Sequence, residues 1–205
     1  MVRYGLVINL SRCIGCHACV VGCKNWHGLP AGGPGRIRIL DFTLGTDLDI
    51  NRWILPLPCM QCEYPPCLAV CRFSARVKGE DGILKIDSKR CVGCELCVLA
   101  CPYGVIAIRT DTHKADRCDF CCDRLAQGQN PLCVDICPGE ALIFGDLDDP
   151  KSAIRRRMDH ANAKTLLKKH RTESRVFYTG LQAFLGFPDA VKILEDEIRG
   201  HASSG

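Results

Sequence analysis

Short apolar runs rich in β-forming residues recur along this chain, and each lies beside a dense group of cysteines. Gly5 to Leu10 precedes the first group and Gly82 to Asp87 the third, while Val105 to Arg109 follows the third and Ala141 to Phe144 the fourth. The pattern predicts strand, loop, short helix and strand, written twice. Between the first two groups, Lys24 to Pro58 reads differently. A Gly/Pro-rich bend from Gly28 to Gly35 leads into the alternation Arg36-Ile37-Arg38-Ile39 and a later Arg52-Trp53-Ile54-Leu55, which predict a β-hairpin insertion. Arg36 and Arg38 share one face of it, solvated by default, with docking as the second reading. After Gly145 the cysteines stop. Asp149 and Pro150 offer a capping residue and a first-turn proline, and Ile154, Met158 and Ala161 continue one helical face. A second short helix is expected from Pro188 through Val191, Leu194 and Ile198, ending before Gly200. Between them Val176 to Phe187 is apolar, with three phenylalanines and a tyrosine. That run either packs on the chain's own body or forms an arm that clasps a partner. No run approaches the roughly 20 apolar residues a membrane-spanning helix needs, so no direct membrane span is expected.

Composition changes this picture. The 205 residues include 17 cysteines but only 6% aromatics, so cysteine chemistry rather than a large apolar core is expected to hold the fold. Met1 to Leu10 contains neither a hydrophobic signal core nor a twin-arginine pair. The expectation is therefore a cytoplasmic chain, or one exported together with a partner. A secreted disulfide scaffold is a poor reading, because the cysteine count is odd and the cysteines are tightly spaced. The formal charge of +4 counts every thiol as neutral. Were sixteen of them ligands to four cubane clusters, each cage would carry two negative charges and the loaded chain would sit near −4. A nucleic-acid partner is not expected, because no Lys/Arg stripe with interleaved aromatics supports one.

Sixteen cysteines fall into four groups: Cys13, Cys16, Cys19 and Cys23; Cys59, Cys62, Cys67 and Cys71; Cys91, Cys94, Cys97 and Cys101; Cys118, Cys121, Cys133 and Cys137. The third, followed by Pro102, has every spacing of the bacterial ferredoxin run. Three close cysteines wrap the backbone around one cluster and the fourth points to a second, so each group serves two clusters. Pro102 and Pro138 help redirect the chain after the fourth ligand. Cys101-Pro102-Tyr103-Gly104-Val105-Ile106 beside Cys137-Pro138-Gly139-Glu140-Ala141-Leu142-Ile143 marks an internal repeat. From spacing alone two pairings stay open, first with second and third with fourth, or a nested one. Zinc is the main rival, but zinc sites take two close cysteines and two distant ligands, not three in seven residues. Cys122, next to a filled ligand position, reads as a buried free thiol. His17 and His27 are not needed as ligands. Lys24, Arg72 and Arg117, each adjacent to a ligand, are candidates for tuning potential.

With Cys62-Glu63-Tyr64-Pro65-Pro66-Cys67 in the second group and a long gap in the fourth, the chain resembles the four-cluster iron-sulfur subunits of the dimethyl sulfoxide reductase, or molybdopterin oxidoreductase, superfamily. Gly145-Asp146-Leu147-Asp148-Asp149-Pro150 and Arg175-Val176-Phe177-Tyr178 are similar to that family's tail. The resemblance implies an α+β fold of two nested bacterial-ferredoxin-like modules, with the hairpin insertion and a helical C-terminal extension. Residues 1–149 would form the cluster domain, the outer module about 1–35 plus 111–149 and the inner about 56–110, and residues 150–205 a tail docking on a partner subunit. It further implies four [4Fe-4S] clusters, held by Cys13, Cys16, Cys19 and Cys137; by Cys118, Cys121, Cys133 and Cys23; by Cys91, Cys94, Cys97 and Cys71; and by Cys59, Cys62, Cys67 and Cys101. The cluster of Cys13 would lie nearest the catalytic subunit and that of Cys59 farthest away. The implied role is non-catalytic: single electrons relayed between a molybdopterin or tungstopterin catalytic subunit and a redox partner, such as a membrane quinone-reactive or flavin subunit. The alternatives are the small electron-wire subunit of a tungsten aldehyde oxidoreductase and a free-standing polyferredoxin.

Overall fold

The computed structural model describes residues 2–46, 49–187 and 189–202. Tyr4–Asn9 forms β1, whose Leu6, Val7 and Ile8 are all buried. Such an unbroken apolar run suits a strand covered on both faces, and β1 is the middle of a three-stranded sheet. After it come α1 (Ala18–Trp26), β2 (Ile37–Thr46), β3 (Asp49–Pro58), α2 (Pro66–Ala69), β4 (Arg76–Lys78), β5 (Leu84–Ile86), α3 (Leu96–Leu99), β6 (Ala107–Ile108), β7 (Ala115–Asp116), α4 (Cys122–Leu125), α5 (Leu132–Asp135), β8 (Leu142–Asp146), α6 (Ala153–His160), β9 (Val176–Thr179), α7 (Leu181–Leu185) and α8 (Ala190–Ala202). The result is a mixed fold of short helices and small sheets, as an α+β ferredoxin-like chain requires.

Strand pairing brings distant cysteine groups together. β1 pairs antiparallel with β8, Tyr4 opposite Asp146 and Ile8 opposite Leu142, so the loops after β1 and before β8 meet at one end of the sheet. There α1 packs on α5, while α2 packs on α3 elsewhere. The first and fourth groups are thus neighbours, as are the second and third. A satellite core of Cys67, Cys97, Ile106 and Ala115 lies apart from the main one.

The hairpin is present, with β2 and β3 paired from Ile37 opposite Pro58 to Thr46 opposite Asp49. Arg36 and Arg38 are not left to solvent, because they lie against the body of the chain. Arg36 binds Asp116 through two hydrogen bonds of 2.9 Å and Asp119 through one of 3.0 Å, and Arg38 donates to the Gly104 carbonyl at 2.8 Å.

The tail also differs in detail. Helix α6 starts at Ala153, capped by Ser152, whose Oγ accepts from the Arg155 amide at 3.2 Å. Asp149 instead closes a local turn by accepting from the Lys151 amide at 2.8 Å. The aromatic run is not an exposed arm. β9 adds parallel to β1, Tyr178 and Phe184 are fully buried, and Phe184 lies tilted against Phe42 and edge-on to Trp53. The last helix runs through Gly200 to Ala202 and buries Ala190, Leu194 and Ile198, leaving Val191 exposed. Pro188 lies outside the described residues.

Candidate metal centres

All four cysteine groups bend the backbone in the same way. The residue two places after the first cysteine takes a left-handed conformation in each: Gly15 (φ +68°), Gln61 (+46°), Gly93 (+72°) and Phe120 (+56°). In the fourth group this turns the Phe120 N–H inward, toward Cys118 Sγ. The amides of Ala115, Phe120 and Ala141 donate to the Sγ atoms of Cys91, Cys118 and Cys137 at 3.4, 3.4 and 3.3 Å. The third cysteine of each group then lies on a helix, and the fourth lies either on the same helix, as Cys23 does on α1, or just beyond its end, as Cys71, Cys101 and Cys137 do.

Four cavities result. The first is lined by Cys13, Cys16, Cys19 and Cys137, and the second by Cys23, Cys118, Cys121 and Cys133. The third is lined by Cys59, Cys62, Cys67 and Cys101, and the fourth by Cys71, Cys91, Cys94 and Cys97. Three cysteines of each cavity come from one group and the fourth from another. Among the described residues no three His, Cys, Asp or Glu donors converge as ligands of a single ion. The thiols surround a volume instead of a point, which suits a polynuclear cluster whose irons each take one sulfur.

Electrostatics point the same way. Burial pushes the Cys19 and Cys101 thiols up to about 11, Cys23 and Cys62 to about 12, and Cys118 and Cys133 well above the ordinary thiol value. At neutral pH these groups would stay protonated unless a metal displaced the proton and compensated the charge. Four thiols lining one space, all four of them buried at the Cys118 cavity, fit a four-thiolate cubane.

Of the three cations picked out by adjacency, only Arg117 faces sulfur. It is 2% exposed, and its Nη1 donates to Cys59 Sγ at 2.8 Å. Lys24 turns instead to the carbonyls of Pro30 and Ala31, at 3.2 and 2.7 Å, and Arg72 is exposed. Arg36, Gln61 and Arg76 are the residues that adjacency and spacing did not find. Arg36 lines the second cavity and Arg76 the fourth. Gln61, fully buried, donates to the Cys118 carbonyl and accepts from the Leu84 amide, both at 2.8 Å. His27 lies 3.5 Å from Cys121 Sγ through Nε2, whereas His17 is exposed. Cys122 lines none of the four cavities, and its Sγ is 3.7 Å from Asp119 Oδ2.

Comparison with known proteins agrees with this chemistry. Residues 50–147, which hold the last three cysteine groups, match a family model described as a 4Fe-4S dicluster domain. The chain is 41% identical to the B subunit of tetrathionate reductase from Salmonella typhimurium over 183 residues, covering 87% of this chain and 73% of that one. It is 40% identical over 149 residues to the thiosulfate reductase electron transfer subunit PhsB of Salmonella typhi, covering 72% and 78%. With the B polypeptide of polysulfide reductase from Wolinella succinogenes the identity is 38% over 164 residues, covering 75% and 82%. With its sixteen cysteines gathered four by four, the chain belongs to the four-cluster [4Fe-4S] electron-transfer subunits of the molybdopterin oxidoreductase superfamily.

Proposed function

We propose that each cavity holds one [4Fe-4S] cluster on the four cysteines that line it, and that the cavities form a single file in the order Cys13, Cys118, Cys59, Cys91. The clusters supply reversible one-electron chemistry when bound, and the chain's residues supply spacing, burial and charge. Cys19 and Cys23 on α1 join the first two cavities; Arg117 against Cys59, beside Cys118 in sequence, joins the second and third; Cys67 and Cys71 join the last two. The bond from Gln61 to the Cys118 carbonyl supports the middle link. This order departs from the one implied by resemblance, which put Cys59 at the end.

Exposure carries the reading. Cys16 and Cys94, at the two ends of the file, are exposed, whereas the four ligands at the Cys118 cavity are buried. Electrons would enter and leave at the ends. Exposed Ile14 and Val92, on the loops of Cys16 and Cys94, suit contact with partner subunits. By this reading the Cys13 end meets a molybdenum or tungsten pterin catalytic subunit, and the Cys91 end meets a quinone-reactive or flavin subunit. Two nested modules, about 1–35 with 111–149 outside and 56–110 inside, account for the ligand exchange. The tail, residues 150–205, both braces the modules and offers its outer face to a partner. Among the described residues no helix is long and apolar enough to cross a membrane. The relatives named above are reductase subunits, which favours this reading over an aldehyde oxidoreductase wire or a free polyferredoxin.

Metal analysis of the complex purified anaerobically with its partners tests the proposal. About 16 irons per chain, four per cubane, together with molybdenum or tungsten, is the expected result. The same iron without a pterin metal would favour a free polyferredoxin, and zinc with little iron would overturn the assignment.

A further inference from the structure

The Cys118 and Cys59 cavities are almost equally buried but oppositely charged. Cys23, Cys118, Cys121 and Cys133 are 5–8% exposed, and Cys59, Cys62 and Cys67 are 5–7% exposed, with Cys101 half-buried. Near the first stand three carboxylates. Asp116 and Asp119 both bind Arg36, while Asp123 accepts from the Trp26 indole at 2.7 Å. His27 touches the same arginine, 3.2 Å from Nη1. The arginine charge there is already matched by carboxylates of the chain.

Around Cys59 the balance is reversed. Arg117 gives Nη1 to Cys59 Sγ, but its Nε and Nη2 have no partner among the described residues. Arg76, 6% exposed, lines the neighbouring Cys91 cavity but also acts on Cys67 of the Cys59 set, and it has no partner for either Nη among the described residues. Glu63, beside Cys62 in sequence, is held by Lys78 and Arg175. A buried guanidinium without a counter-charge is costly, so these two require negative charge that the polypeptide does not supply. A four-thiolate cubane carries two negative charges at rest and three after accepting an electron.

We propose that Arg117 and Arg76 make the Cys59 centre easier to reduce than the equally buried Cys118 centre, so that an electron moving along the file is held there. The inference rests on the ligand sets proposed above. One electron arrives from a neighbouring centre, or from dithionite in the assay. No bond forms or breaks, and no proton is needed because both guanidiniums stay charged.

An anaerobic redox titration of the intact complex, followed by electron paramagnetic resonance, tests it. Cys59→Ser and Cys118→Ser first assign the signals; if they do not alter two distinct signals, the ligand reading itself fails. With signals assigned, the Cys59 signal should reduce first. Arg117→Met should shift its equilibrium at least tenfold toward the oxidised form, about 59 mV for one electron, while Arg117→Lys retains most of the wild-type value. Arg76→Met should shift the same signal in the same direction. Asp119→Asn should make the Cys118 signal easier to reduce. Earlier reduction of the Cys118 signal in the wild type would overturn the proposal. So would an unmoved Cys59 signal in Arg117→Met at full iron content. Should Arg117→Met lose iron, Arg76→Met decides, and an unmoved Cys59 signal in it counts against the proposal.

Discussion

Gly93 and Gly128 share a φ of +72°, yet their surroundings differ. A Cβ on Gly93 would sit 2.1 Å from the His113 carbonyl oxygen, whereas one on Gly128 would meet nothing within 4 Å. Alanine at Gly128 should therefore cost only the left-handed strain, about 1–2 kcal/mol, with all iron kept. Alanine at Gly93 adds a backbone collision inside the loop of Cys91 and Cys94, and should release about four irons per chain. Iron content and thermal melting of the two variants, compared side by side, check this; equal iron loss would count against the collision. Gly93 was legible as part of a ligand run, but its collision partner, twenty residues away, was not. The candidate tuning residues had the same fate. Adjacency to a cysteine picked out Lys24, Arg72 and Arg117 alike, yet only packing decides which side chain turns inward.

At the scale of elements, local signals were read well where they were unopposed. The alternation in Arg36 to Ile39 gave the hairpin, but the docking of its arginines depends on Asp116 and Asp119, about eighty residues away. In the tail two capping residues compete, and Ser152 rather than Asp149 holds the helix end. Ser152→Ala should lower stability by about 1 kcal/mol, and Asp149→Ala by less, as measured by denaturant unfolding of the loaded protein; the reverse ranking would restore Asp149 as the cap. The tail is also more than an appendage. Glu63 and Tyr64 amides donate to the Glu173 and Thr172 carbonyls at 2.9 and 3.1 Å, and the Arg175 amide donates to the Met60 carbonyl at 3.0 Å. These bonds grip the loop of the Cys59 cavity. Truncation after Asp149 should thus lower the iron content of the chain even without any partner, whereas full retention of iron would assign the tail to docking alone.

Across the whole molecule, the four cysteine groups were plain because ligand spacing is local, while their pairing was not, because it depends on which strands meet. The registers of β1 with β8 and the packing of α2 on α3 carry that information. Charge is likewise a property of the loaded assembly. Bare, the chain has a formal charge of +4 and a pI near 8.3. With four doubly negative cages it should sit near −4, so native isoelectric focusing under argon should band the holoprotein below about pH 7 and shift it basic once iron is removed. An unchanged band would argue against thiolate ligation. The exchange of fourth cysteines between groups also has a temporal side. All eight thiols around the Cys59 and Cys91 cavities have been synthesised once Cys101 is made, but the Cys13 cavity waits for Cys137. Iron delivery during synthesis would therefore begin in the middle of the chain, and the earliest cysteines translated would be among the last to be loaded.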